Sequence, residues 1–87
     1  MQMPLKVFKF HKEAHQAFLK TQIVIASCTT WAQLATARTM IENYKILYVG
    51  KAYTTMQQDE VLFNYDRLIN KAAARGIEIS YIDHFKN

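Results

Sequence analysis

Apolar residues recur at steps of three and four through most of this chain of 87 residues, the spacing that places them on one side of an α-helix. Ala14, Phe18, Thr21, Ile25 and Cys28 form the first stripe, widened by Leu19 and Ile23, and predict a helix over residues 12–27. The β-branched run Ile23-Val24-Ile25 pulls the other way, since such residues favour strands. Trp31, Leu34, Ala37, Ile41, Tyr44 and Tyr48 predict a second helix over residues 31–48. Val61, Leu62, Tyr65, Leu68, Ile69, Ala72 and Ala73 form the densest stripe and predict a third over residues 56–75.

Local signals set the boundaries. Thr30-Trp31-Ala32-Gln33 has the form of a capping box, in which the threonine hydroxyl accepts from the Gln33 amide and the glutamine reaches back. Thr55-Met56-Gln57-Gln58 repeats that form, with Asp59 and Glu60 placed to complement a helix N-terminus. Gly50 and Gly76 are read as stops for the second and third helices, with Arg75 in the last turn. Beyond Gly76 the period changes: Ile77, Ile79 and Tyr81 alternate with Glu78 and Ser80, as in a half-buried strand over residues 77–82. Residues 5–10 alternate similarly after Pro4. The expected fold is therefore mainly α, one domain of three capped helices, with an α+β alternative if the short terminal strands at 5–10 and 77–82 form. Two strands alone are marginal unless a helix covers them.

Composition narrows the class. An apolar content of 51% and a charged content of 21% exclude general disorder. Cys28 is the only cysteine, which removes internal disulfides, and residues 1–6 carry no signal-length apolar run. Together these point to a reducing cytosol. The longest apolar stretch, residues 23–26, is far short of the roughly 20 residues that span a bilayer. An excess of four positive charges favours anionic partners without requiring them.

Candidate chemistry is sparse. His11 and His15 stand one helical turn apart, with Glu13 or His84 as a third metal ligand, but the acid does not follow the first histidine as metalloprotease chemistry requires. Two surface histidines are the simpler reading, and no metal or cofactor is expected. Gly50-Lys51 fails as a phosphate loop: Lys45 occupies the place of the earlier glycine and Ala52 that of the magnesium-binding hydroxyl. Cys28 has no partner pattern for a nucleophile and reads as core. Arg67, Lys71 and Arg75 lie four apart, extended by Asn64, and with Lys45, Lys51, Tyr48 and Tyr53 could hold phosphate by charge and stacking. The competing reading is a solvated polar face. Phe8, Phe10, Tyr81 and Phe85 exceed what so small a core can bury, which favours a partner or self-association.

The segment Ser27-Cys28-Thr29-Thr30-Trp31-Ala32-Gln33-Leu34, continuing through Ala37 to Met40-Ile41-Glu42-Asn43-Tyr44, resembles the central hairpin of small helical proteins encoded by tailed phages. The resemblance covers about a fifth of the chain. It implies proteins that bind host proteins or signalling nucleotides to disable host defence or redirect host machinery. Without an assembled active site, the expectation is a non-catalytic accessory protein binding a host protein in the host cytoplasm. The alternative is a binder of nucleic acid or a phosphorylated nucleotide.

Overall fold

A computed structural model describes residues 5–85, with side-chain environments from Phe8 onward. The chain folds as three antiparallel neighbours in sequence: α1 (Leu5–Ser27), α2 (Trp31–Lys51) and α3 (Thr55–Phe85). Among the described residues there is no strand, and the mainly α three-helix class is the observed one. The bundle measures 60 × 17 × 17 Å. α3 alone, with 31 residues, is roughly 46 Å long at 1.5 Å per residue. It overruns α2 at one end, while the start of α1 projects at the other.

The two inter-helix turns are set by the same cap. At the first, the Gln33 amide donates to Thr30 Oγ1 at 3.2 Å, and Gln33 Oε1 accepts from the Thr29 amide at 2.7 Å. At the second, the Gln57 amide donates to Thr54 Oγ1 at 3.1 Å, and Gln57 Oε1 accepts from the Tyr53 amide at 2.6 Å. The second box is thus Thr54 with Gln57, one residue earlier than the Thr55–Gln58 spacing suggested. That shift moves Asp59 and Glu60 out of the first turn, which holds no acid.

Most residues of the predicted core stripes are buried as a single cluster. Ala14, Phe18, Ile25 and Cys28 of the α1 side meet Leu34, Ala37, Ile41, Tyr44 and Tyr48 of α2 and Val61, Leu68, Ala72 and Ile79 of α3. Thr21 joins them because its hydroxyl donates to the Ala17 carbonyl at 2.8 Å, which removes the cost of burying it unpaired. The β-branched run 23–25 stays helical, with Ile25 buried, Val24 half-buried and Ile23 exposed. Its helical burial pattern shows that packing overrides propensity here.

Both terminal segments read as strands are helix. In residues 77–82 only Ile79 is in the core, while Ile77 and Tyr81 are exposed. Ile79 lies seven residues after Ala72 and so continues the same helical stripe. A strand would need a ladder partner, and a helix satisfies its own backbone. Residues 5–10 likewise begin α1, and Phe10 extends its stripe by packing edge-on to Tyr48 and Tyr53, with centroids 6.2 and 6.5 Å away. Pro4 lies outside the described residues.

Neither glycine is a stop. Gly50 is the penultimate residue of α2, and Gly76 is buried inside α3 with ordinary helical backbone and no positive φ. A Cβ on Gly76 would stand 3.4 Å from Leu34 Cδ2 and 3.5 Å from Trp31 Cζ3. The residue therefore serves the close approach of α2. Arg75 falls well inside α3, whose last turn carries His84 instead.

Gly76→Ala is expected to hold or raise stability, by up to about 1 kcal/mol from helix propensity, because one methyl just fits. Gly76→Leu should lose about 1–3 kcal/mol by overpacking. Urea midpoints measure both, and an unchanged midpoint for the leucine variant would refute the close-packing role.

Candidate functional site

The basic residues singled out by spacing do not form one face. Arg67, Lys71 and Arg75 span about 80° of α3 and all lie on its side toward α1, Arg67 over Phe18 and the other two on one groove. Arg75 is consumed by structure: its Nε donates to the Cys28 carbonyl at 2.7 Å, and its guanidinium pairs with Glu78. That bond satisfies a carbonyl just past the end of α1 and ties the α1–α2 turn to α3. Arg67 lies over the Phe18 and Phe63 rings, 5.2 and 5.9 Å from their centroids. Lys71 is exposed at an open α1–α3 groove of about 290 Å³, lined also by Gln22 of α1 and by Arg75 and Glu78 of its own helix.

Lys45 belongs elsewhere. It sits 4.6 Å over the Tyr65 ring and 4.0 Å from Glu42, which also accepts from the Tyr65 hydroxyl. That hydrogen bond is the main reason the Tyr65 pKa lies above 10.0. Asn64 is half-buried beside Tyr44. Lys51, over the Tyr48 ring at 5.8 Å, comes together instead with Tyr53 and with Lys9, which spacing did not single out. These three, with Phe10 and Glu13, line an open cleft of about 440 Å³ where the start of α1 meets the end of α2. Lys9 was not legible because it joins Lys51 only through the packing of Phe10 under Tyr53.

The expected interface aromatics divide. Phe8, Tyr81 and Phe85 are exposed, the last two stacked with centroids 6.2 Å apart. Phe10 is 5% exposed and belongs to the core, so it is not available to a partner. Leu19 and Ile23, expected to widen the core stripe of α1, face solvent, as do Leu62, Ile69 and much of Trp31 on the other helices. Steps of seven and four put Met56, Phe63, Ile77, Tyr81 and Phe85 on one side of α3, and all five are exposed. Phe8, Leu19 and Ile23 of α1 are exposed as well. The excess of apolar positions over core positions in each stripe was the available signal for them.

His11 and His84 stand at opposite ends of the bundle, so the three-ligand set with His84 does not assemble. Among the described residues no three His, Cys, Asp or Glu side chains cluster as a metal site would require. Cys28 is buried, its thiol directed at the Val24 carbonyl at 3.2 Å. Among the described residues no helix is long and apolar enough to cross a membrane. No protein-family model matches the chain, and no curated protein or solved structure matches it either.

Arg75→Ala should lower unfolding stability by about 1–3 kcal/mol, through the lost bond to the Cys28 carbonyl. Lys71→Ala, on the same helix but exposed, should stay within roughly 0.5 kcal/mol of the parent. Chemical denaturation of the two variants distinguishes a structural arginine from a stripe held in reserve for phosphate.

The core tyrosines add a pH dependence. Burial holds the Tyr44 pKa above 10.0, with Glu60 and Tyr48 adding to the rise and Asn64 opposing it, and burial does the same for Tyr48. A phenol with a higher pKa folded than unfolded leaves the folded state with more bound protons above pH 10.0. Its contribution is fully present below that pH and is lost as pH rises through the folded values. The urea midpoint should accordingly fall between about pH 9 and about pH 11; a midpoint that rose would contradict the burial of these phenols.

Proposed function

We propose that this chain is a non-catalytic protein-binding module that docks through the apolar face shared by α1 and α3. In this reading it is a small cytoplasmic accessory protein, of the kind tailed phages encode, acting on a host protein to antagonise defence or redirect host machinery. One observation carries the proposal: Phe8 and Ile23 of α1 and Phe63, Ile77, Tyr81 and Phe85 of α3 are each more than half exposed. Monomeric proteins rarely leave contiguous apolar area of this kind uncovered. Aromatic residues, methionine and arginine are also the types enriched at interface centres, and here Met56 and Arg67 flank the row. The host-directed part rests on the resemblance within residues 27–44 alone.

The phosphate-binding alternative has support at a different place from the one spacing indicated. The cleft of about 440 Å³ brings Lys9, Lys51 and Tyr53 together, a pairing of charge with a stacking surface. The arginines of α3 are engaged with rings, a carbonyl and Glu78, which leaves the protein-binding reading ahead.

The test is capture from host lysate with the paired variant Ile23→Asp and Ile77→Asp beside the parent, each checked for an unchanged thermal midpoint. Protein binding at this face predicts at least about tenfold weaker capture of a specific polypeptide, the loss of one hot-spot contact or more. Equal capture by the variant removes the face from the interface. A parent that sediments as a dimer, with dimerisation lost in the variant, would assign the face to a second copy instead. ATP titrated at low and high salt tests the alternative: binding should weaken with salt and vanish in Lys9→Ala with Lys51→Ala.

A further inference from the structure

Between α1, α2 and α3, near the α2–α3 turn, the core contains an unpaired hydroxyl. Tyr44 is 4% exposed, and its Oη has no hydrogen-bond partner among the described residues. It stands at a cavity of about 20 Å³ walled by Phe10 and Val61 and lined by the polar side chains of His11, His15, Glu60 and Asn64. Asn64 lies beside the phenol, yet outside hydrogen-bond geometry. His11 Nδ1 is 3.6 Å from Glu60 Oε2, too long for a direct bond of ordinary strength. Three helices thus each bring polar atoms to one small space.

An unpaired buried hydroxyl costs about 1–3 kcal/mol, and native proteins rarely leave one. One water needs a cavity of roughly 10–15 Å³ and two to four polar partners, and this cavity meets both conditions. A phenol donates and accepts, an amide does both and a carboxylate accepts, so a water's two hydrogens and two lone pairs can all be used. Dry apolar cavities lack such partners.

We propose that this cavity is a binding site for one ordered water molecule, bridging the Tyr44 hydroxyl to Asn64 and to the His11–Glu60 pair. The water links a side chain of α2 to side chains of α1 and α3 at one level of the bundle. It thereby opposes sliding of the helices along one another. It also accounts for tyrosine rather than phenylalanine at position 44. The site is independent of the docking face.

A high-resolution crystal structure of the full chain, with thermal unfolding of Tyr44→Phe, tests the assignment. Expected are one water within hydrogen-bond distance of Tyr44 Oη and of at least one of Asn64, Glu60 and His11, and a midpoint a few degrees lower for the variant. An empty cavity, or a Tyr44 hydroxyl bonded directly to Asn64 or Glu60, overturns the proposal. So does a variant midpoint equal to or above the parent's, since deleting an unhydrated orphan hydroxyl removes only a penalty.

Discussion

The passage of α2 across Gly76 is the contact on which the far end of the bundle depends. Only a residue without a long side chain lets Leu34 and the Trp31 ring lie directly on α3. Once they do, Trp31 Nε1 reaches Asp83 Oδ2 at 3.1 Å, two turns further along. Arg75, one residue before the glycine, meets the Cys28 carbonyl. These bonds hold the α1–α2 turn and the start of α2 against an α3 that continues past them. The overrun of α3, with Tyr81 and Phe85 on its outer side, follows from that anchoring.

The same packing accounts for where the charges went. Arginine and lysine stems lie along aromatic rings, and their heads find rings, a carbonyl or nearby acids, as at Arg67, Arg75 and Lys45. Cations that spacing alone groups together are dispersed over the α1–α3 face, the α2–α3 seam and the α1–α2 cleft. A narrow bundle 17 Å across has more surface than its core can draw on, so apolar residues outnumber interior places. The surplus is exposed on all three helices, most of it on α3.

Much of the architecture was legible because it is local. A threonine three residues before a glutamine sets each turn, and the steps of three and four that predicted Ala14–Phe18–Ile25, Leu34–Ile41–Tyr48 and Val61–Leu68–Ala72 are the buried stripes observed. The misreadings have one cause. Ile77-Glu78-Ile79-Ser80-Tyr81 fits a period of two, and its second isoleucine equally extends the helical steps of four and seven that run from Leu68 to Ala72 to Ile79. Five residues cannot separate those periods, and glycine before them looked like punctuation.

By itself, then, the sequence determined that there are three helices, the first cap and most of the core stripe of each, since helical period and capping act over a few neighbouring positions. Only the tertiary structure decided that Gly76 is an approach and not an end. It also decided that Phe10 is inside while Leu19 and Ile23 are outside, and that Lys9 meets Lys51. Each of these turns on which helix lies opposite, and that is settled by packing among residues tens of positions apart.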